Sequence, residues 1–199
     1  MNGNKSKQLL AHNAALAAYF DDLLAPEKKR IVFGDGDPRA RIVLIGEAPG
    51  EQEALLGKPF VGKAGKILDE FLEKTGLKRE DLYITNVVKW RPTAVSKTGR
   101  TINRAPNREE LALFLPWLQK ELKLLQPAYI VTLGNTPLRA VSGLRSAVIG
   151  QYHGRLFPGG AFGAHFFPLY HPAAVIYNRS LRDTYLADLA AFAALLRRG

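Results

Sequence analysis

The sequence contains no cysteine. Without a thiol the chain cannot form a disulfide, a thiolate zinc site or a cysteine-ligated iron–sulfur cluster, and it has no cysteine nucleophile. Long apolar runs are also absent: no segment approaches the roughly 20 residues of a membrane span. The first residues lack the apolar core and cleavage site of a secretory signal. We therefore expect no metal, no cofactor, no membrane partner and a cytoplasmic, intracellular protein.

Acidic residues are scarce relative to basic ones. Lys plus Arg number 28 and Asp plus Glu number 18, a formal charge of +10. This excess favours a polyanionic partner, although many basic proteins bind no nucleic acid. The hydrophobic share of 47% is ordinary for a globular protein, and 199 residues are enough for one substantial core. We expect a single domain over residues 1–199, and a monomer.

Short apolar runs alternate with helical patterns along the chain. Buried strands are predicted at 40–46, 81–90, 127–134 and 164–172. Helices are predicted at about 6–24, 62–76, 107–125, 135–143 and 180–197, and residues 92–107 are predicted to be a loop. Strands separated by helices imply a parallel sheet covered on both faces. The predicted fold is an α/β three-layer α/β/α sandwich with a central, mostly parallel four-stranded sheet.

Polar stretches follow three of the predicted strands. The stretch "GEAPGEQEALLGKPFVGKAG" (46–65) follows the first, "TN" (85–86) lies in the second, and "YHP" (170–172) ends the fourth. Ligands bind outside the carboxyl ends of parallel strands, so the three stretches predict one shared site. The first stretch is not a nucleotide-binding P-loop, because the Lys-Ser/Thr pair is missing and its three glutamates would repel a triphosphate. The G-x-G-x-x-G dinucleotide fingerprint is also absent.

These stretches resemble the motifs of the uracil-DNA glycosylase superfamily, most closely its family 4 branch. Residues 46–65 match G-E-x-P-G-x-x-E-D-x-x-G-x-P-F-V-G-x-A-G except for Ala54 in place of Asp. The segment "ITNVVKWRP", with "NRAP" beyond it, resembles T-N-V-V-K-x-R-P-P-x-N-R-x-P, and "YHPAAVI" matches the H-P-S/A element. The resemblance covers about Arg41 to Arg182 in matching order. It implies a monofunctional glycosylase of base excision repair, which flips uracil out of DNA and hydrolyses its N-glycosidic bond to leave an abasic site.

Four positions are predicted to bind the substrate: Gly46, Ala48, Phe60 and Asn86. Gly46 allows close backbone approach, and Ala48 stands where the best-known uracil-DNA glycosylases carry Asp. The resemblance implies that Phe60 stacks on uracil; the alternative is a core aromatic. Asn86 could read the N3–H and O4 edge of uracil, where cytosine presents the opposite pattern. Its alternative role is that of a turn former at a strand end.

Four positions are predicted to be catalytic: Glu53, His171, Asn103 and Glu47. The resemblance places His171 at uracil O2, where negative charge collects; the alternative is a structural histidine. Glu53 matches the motif Glu and is predicted to position water and offset positive charge on the sugar. Glu47 is the alternative residue for this role, although its own role could be mainly architectural. Asn103 is expected to assist near the sugar or the water. A related branch crosslinks to DNA through a His at this position, so Asn103 implies turnover.

Basic residues near the last two motifs are predicted to contact DNA. Lys89, Arg91, Arg100, Arg104 and Arg179 could meet phosphates, with Lys97 and Arg182 as further candidates, although charge runs are more often merely solvated. Val175, Ile176 or Tyr177 could wedge into the gap left by the flipped base. The partner is uracil-containing DNA, single- or double-stranded, which places the protein at the nucleoid.

The resemblance departs from family 4 at the metal, because those proteins usually hold a four-iron cluster on four cysteines. Phe114 replaces one of these cysteines in "FLPWL". Apolar packing by Phe114, Leu115 and Trp117 could take over the structural role of the cluster. Two alternative functions stay open: removal of another deaminated base such as hypoxanthine or xanthine, and nucleic-acid binding without catalysis, which Ala48 and Ala54 would favour.

The missing cysteines give a first testable prediction. The purified protein should be colourless and free of iron, and it should release base at an unchanged rate in a chelator. Absorbance spectroscopy and an iron assay on the active protein check this. Activity that chelation removes and iron restores would contradict it.

Overall fold

A five-stranded sheet forms the centre of the molecule. The computed structural model of the protein describes residues 4–24, 29–159 and 161–197. The strands are β1 (Asp35–Gly36), β2 (Ile42–Gly46), β3 (Leu82–Asn86), β4 (Thr93–Val95), β5 (Thr101–Asn103), β6 (Tyr129–Leu133) and β7 (His165–Leu169). The sheet order is β1-β3-β2-β6-β7. The four strands β3, β2, β6 and β7 are parallel, as predicted, and the two-residue β1 adds an antiparallel edge.

Helices cover both faces of this sheet and complete the three predicted layers. They are α1 (Asn4–Leu24), α2 (Glu51–Leu56), α3 (Lys63–Thr75), α4 (Arg108–Leu125), α5 (Asn135–Ser142), α6 (Ile149–Tyr152), α7 (Pro172–Tyr177) and α8 (Arg182–Leu196). Helices α1, α4, α5 and α6 pack on one face, and α3, α7 and α8 pack on the other. No helix in the described ranges is long and apolar enough to cross a membrane.

Strand β2 shows why the sequence forms this sandwich. Its side chains alternate between the two faces, as strand geometry requires. Val43 and Ile45 enter the core on the α4 side, while Ile42 and Leu44 enter the core on the α3 side. Because both faces are covered, the strand is apolar throughout instead of alternating with polar residues. All five of its residues are buried.

A helix and a two-stranded hairpin occur where the sequence predicted only loop. Helix α2 lies within the glycine-rich stretch and is six residues long, too short to show a helical period. Strands β4 and β5 form an antiparallel hairpin inside the predicted loop 92–107. Each strand has three residues, all exposed in β5 and two of them half-buried in β4, and Gly99 in the connecting turn takes a φ of +77°. The hairpin therefore lacks the apolar pattern that marks a buried strand.

A cluster of aromatic rings lies between α1, α4 and the segment after β3. We call Phe20, Trp90 and Phe114 the aromatic cluster. The rings of Phe20 and Phe114 stack with centroids 4.6 Å apart, and Trp90 meets Phe114 edge-on at 4.8 Å. Such pairs contribute roughly 0.5–1.5 kcal/mol each beyond their buried area. Trp117 packs at the edge of the cluster, whereas Leu115, which we expected beside it, is not a member.

Candidate active site

A cavity of about 800 Å³ opens at the carboxyl ends of the parallel strands. It receives residues from the ends of β2, β3, β6 and β7, from α2 and from the end of the hairpin. The predicted residues that line it are Glu47, Ala48, Glu53, Phe60, Asn86, Asn103 and His171. The structure thus brings together side chains that are more than 100 positions apart in the sequence.

Asn86 ends strand β3 and lies on the wall of the cavity. Its residue is 2% exposed, and its Oδ1 atom has no hydrogen-bond partner among the described residues. A buried acceptor without a partner costs about 1–3 kcal/mol, so a native protein keeps one for a reason. An incoming N–H donor would satisfy this oxygen.

Gly46, at the end of β2, does not line the cavity itself but lies directly against Asn86 and Phe60, which do. A Cβ atom at this position would lie 2.4 Å from Oδ1 of Asn86 and 2.6 Å from Cζ of Phe60. Any side chain would therefore push both residues out of place. The predicted role of Gly46, close approach, has this geometric basis in the space it leaves for Asn86 and Phe60.

Phe60 takes a backbone conformation that phenylalanine rarely adopts. Its φ is +53°, in the left-handed region, and its ring is buried. Arg79 fixes this conformation by donating hydrogen bonds to the carbonyl oxygens of Pro59 and Phe60. The ring packs into the α3-side core and also faces the cavity, with its centroid 6.0 Å from the His171 ring. Strained residues held by their surroundings are typical of ligand sites.

His171 caps the N-terminus of α7, one residue after the tyrosine that follows β7. Its Nδ1 atom accepts a hydrogen bond from the backbone N–H of Ala173 at 3.1 Å. Because Nδ1 accepts, a neutral ring carries its proton on Nε2. Burial lowers the pKa of His171 to about 4, and the Glu53 carboxylate only partly opposes this. The site therefore holds a neutral imidazole with one N–H donor.

This lowered pKa predicts the pH dependence of rate and stability. The single-turnover rate should show no inflection near the ordinary histidine value of 6.5, because the folded protein keeps His171 neutral down to about pH 4. Stability should fall as the pH drops from 6.5 to 4, since only the unfolded chain gains this proton in that window. Melting curves of the wild type and His171→Ser across this window isolate the effect, because the variant should lose less stability than the wild type. A rate inflection at 6.5 would contradict the neutral form.

Glu53 fastens the loop that forms one side of the cavity. Its Oε1 accepts from the backbone N–H groups of Val61 and Gly62 at 3.0 and 2.7 Å, and its Oε2 accepts from Gly50 at 3.1 Å. A carboxylate with three such donors acts as a strut between the N-terminus of α2 and the N-terminus of α3. This is the architectural role that the sequence suggested for Glu47.

Glu47 has the freer carboxylate of the two. Its Oε2 accepts a hydrogen bond from the Thr136 hydroxyl at 2.5 Å, and the residue lines the cavity at the exit of β2. Thr136 orients the group while leaving Oε1 uncommitted among the described residues. Sequence reasoning missed Thr136. The signal was the polar "GNT" (134–136) at the end of the third predicted strand, the one strand end at which no site residue was predicted.

Asn103 ends β5, and Arg91 holds its side chain in place. Arg91 donates from Nε to Oδ1 of Asn103 at 2.7 Å, and its Nη1 lies 3.2 Å from Oε1 of Glu51. Because Oδ1 already accepts from Arg91, Asn103 can interact with a ligand by donating from its amide N–H groups. Arg91 therefore bridges the hairpin to α2, a positioning role that differs from the predicted phosphate contact.

Lys89 is wrong as a predicted DNA contact. Its side chain is 1% exposed and its ammonium lies 2.5 Å from Oε2 of Glu121, with Thr85 as a further acceptor. Glu121 also accepts from Tyr83, and burial beside this carboxylate raises the pKa of the tyrosine. The sequence shows a cation in a polar motif, but the side chain points into the core and cannot reach a phosphate.

Arg104, another predicted phosphate contact, is 33% exposed at its side chain and already paired with a carboxylate. Its guanidinium binds the Glu110 carboxylate through Nη1 at 2.6 Å and Nη2 at 2.9 Å, and its Nε donates to the Thr93 carbonyl at 3.0 Å. These bonds commit it to the hairpin and to α4.

The other predicted DNA contacts lie on the surface. Arg100 and Arg179 are exposed, and Arg182 is paired with Glu70 at 2.7 Å. Ile176 is 40% exposed and lines the cavity, whereas Val175 is only 8% exposed. Of the wedge candidates, Ile176 is therefore available and Val175 is not. The side chain of Tyr177 lies outside the described residues.

Comparison with known proteins agrees with these motifs. A family model described as the uracil DNA glycosylase superfamily matches residues 33–195. A type-4 uracil-DNA glycosylase of Pyrobaculum aerophilum is 38% identical over 170 residues, which cover 83% of either chain. A type-4 uracil-DNA glycosylase of Saccharolobus solfataricus is 39% identical over 167 residues, 81% of this chain and 74% of that protein.

A solved structure supports the fold. The crystal structure of SMUG2 from Pedobacter heparinus matches with a TM-score of 0.57, covering 80% of this chain and 77% of that one. The sequence identity is 17%, so the likeness concerns the arrangement of sheet and helices.

Proposed function

The chain belongs to the uracil DNA glycosylase superfamily, and we propose that it removes uracil from DNA by hydrolysing the N-glycosidic bond. The product is an abasic site, which is the entry point of base excision repair. Hydrolysis without a covalent enzyme–DNA bond makes the enzyme monofunctional. The polyanionic substrate suits the formal charge of +10.

The unpartnered Oδ1 of Asn86 is the observation that carries this proposal. Uracil presents an N3–H donor beside the O4 acceptor, and one asparagine amide can pair with both. Cytosine presents an acceptor and a donor in the reverse order, so its entry would leave two buried groups mispaired at about 1–3 kcal/mol each. Phe60 supplies a buried ring beside the same cavity, on which the flipped base can stack.

His171 is proposed to stabilise the departing base. Cleavage leaves negative charge on uracil, shared with O2, and a neutral imidazole can donate its Nε2–H to that oxygen. The geometry that supports this is the Nδ1 acceptor bond from Ala173, which fixes the tautomer. A fixed donor needs no reorganisation when the charge develops.

Glu47 is proposed to position the attacking water, with Asn103 assisting. This exchanges the two predicted glutamate roles, because the backbone bonds of Glu53 already explain that residue as a strut. The Glu47 carboxylate can accept a proton from water and also offset the positive charge that grows on the sugar. Asn103 can donate from its amide to the water or the sugar.

The residues present do not fit the four-iron cluster of family 4 proteins. The chain has no cysteine, and Phe114, at the place of one family cysteine, is fully buried among aromatic rings. In the described ranges, no three His, Asp or Glu side chains are grouped so that they could hold a metal ion. The proposed steps use the side chains named above and the attacking water.

A panel of DNA oligomers tests the function. Single strands and duplexes carrying uracil, hypoxanthine, xanthine or mismatched thymine are incubated with excess enzyme, and abasic sites are counted after alkaline cleavage. We expect release from the uracil strands first. Hypoxanthine shares the N–H and carbonyl pattern that Asn86 reads, so preferred release of that base would favour the alternative glycosylase. Binding without any abasic product would favour the non-catalytic relative.

DNA contacts are proposed for the exposed Arg100 and Arg179, with Ile176 as the wedge. Their support is exposure and, for Ile176, a position on the cavity wall. The monomeric state, the single domain over residues 1–199, the choice between single- and double-stranded DNA and the nucleoid location stay predictions.

A further inference from the structure

A chain of polar contacts joins the aromatic cluster to the cavity wall. Trp90 donates from Nε1 to Oε1 of Glu110 at 3.0 Å. The same carboxylate binds Arg104 through two hydrogen bonds of 2.6 and 2.9 Å. Arg104 directly follows Asn103, and residues 103–105 line the cavity.

Arg104 fixes the local chain at more than one point. Its backbone N–H donates to the Pro92 carbonyl at 3.2 Å, and its Nε donates to the Thr93 carbonyl at 3.0 Å. Arg104 therefore ties the end of β5 to the start of β4, and Glu110 holds its guanidinium. A shift of Glu110 would move the segment that carries Asn103.

Glu110 is built to keep this position as an anion. It is 6% exposed, and its carboxylate also accepts from the backbone N–H of Asn107 at 2.9 Å. Burial alone would raise the pKa of Glu110, but the hydrogen bonds from Arg104, Asn107 and Trp90 outweigh it and hold the pKa below its ordinary value. A buried carboxylate that remains charged keeps its two-bond pairing with arginine.

We propose that the Arg104–Glu110 pair, aligned by Trp90, positions Asn103 for catalysis. The aromatic cluster then has a second role besides stability: Trp90 fixes Glu110, and through Glu110 and Arg104 it holds the cavity wall that carries Asn103. Arg104, Glu110 and Trp90 are positioning residues, because they act on the reaction only through Asn103. This inference rests on the proposed glycosylase function, and its first readout does not depend on activity.

The test uses Glu110→Gln, which keeps an acceptor and the helix-capping position but weakens the charge pairing with Arg104. Asp37→Asn is the matched control, since it weakens the Arg39–Asp37 pair, 3.1 Å long, away from the cavity. The first measurement is the NMR shift of the Asn103 side-chain amide, assigned by its absence in Asn103→Ala. We expect it to move in Glu110→Gln and to stay in place in Asp37→Asn. An unmoved resonance overturns the proposal even if the protein proves inactive.

The second measurement is a double-mutant cycle on single-turnover uracil release. Glu110→Gln should slow the rate by about 10- to 100-fold, the usual cost of a small misplacement, with little change in affinity for an uncleavable uracil analogue. In the Asn103→Ala background the same change should cost nothing more. Effects that multiply in the double variant, or a wild-type rate for Glu110→Gln, would show that Glu110 does not act through Asn103.

Trp90→Phe provides a second variant if Glu110→Gln folds poorly. It keeps an aromatic ring in the cluster, a smaller one, and removes the donor to Glu110. We expect a smaller slowing in the same direction, again absent in the Asn103→Ala background. Trp117→Phe, a ring at the edge of the same cluster, is its control and should leave the rate unchanged.

Discussion

Glu47→Gln should slow uracil release by about 10²–10⁴-fold, the range expected when a general base is lost. The amide oxygen of the new side chain can still accept from Thr136, so the melting temperature should change little. Binding of an uncleavable uracil substrate should survive, because the lost charge acts mainly on the cationic transition state. Single-turnover kinetics and melting curves on the same preparations measure both effects.

Glu53→Gln is the counterpart that separates the two carboxylates. Its amide N–H₂ would face backbone N–H donors where Oε1 or Oε2 now accepts. One opposed donor costs about 1–3 kcal/mol, and each kcal/mol lowers the melting temperature by about 2–4 °C in a chain of this size. Glu80→Gln, at an exposed carboxylate outside the cavity, controls for loss of charge. If Glu53→Gln is slower than Glu47→Gln at unchanged stability, Glu53 positions the water, as the sequence motif predicted.

His171→Ala should lower the single-turnover rate by about 10²–10³-fold, as the removal of one oxyanion donor does in other enzymes. The chemistry explains the size of the effect, since a donor to O2 acts only when charge develops there. Affinity for uncleavable uracil DNA should therefore change little. The rate is measured with enzyme in excess, so that product release does not hide the chemical step.

The effect of losing the helix cap that His171 provides must be distinguished from the effect of losing its N–H donor to O2. Losing an N-cap side chain costs roughly 0.5–2 kcal/mol, so His171→Ala should also melt somewhat earlier. His171→Ser restores a cap to the Ala173 N–H but is too short to replace the imidazole N–H. The serine variant should regain stability and stay slow. A serine variant that regains the rate with the stability would return His171 to a purely structural role.

The parallel core was predictable because its signals are local. Four short, β-branched apolar runs separated by helical patterns leave few arrangements other than a covered parallel sheet, and the structure confirms those four strands. The hairpin was missed, since its three-residue strands are mostly exposed and carry no apolar pattern. The motif residues at the strand ends converge on one cavity because the carboxyl ends of parallel strands lie at the same edge of the sheet.

The sequence by itself determined the family motifs, the strand ends that form the site and the absence of cysteine ligands. Only the tertiary structure decided which charged groups are free. Lys89 and Arg104 look like surface cations in the sequence, but their partners Glu121 and Glu110 come from α4. The two glutamates likewise differ only through contacts made in space, Glu53 with Val61 and Gly62, and Glu47 with Thr136. A residue type states which bonds a side chain can make, whereas the folded chain decides which of those bonds are already taken.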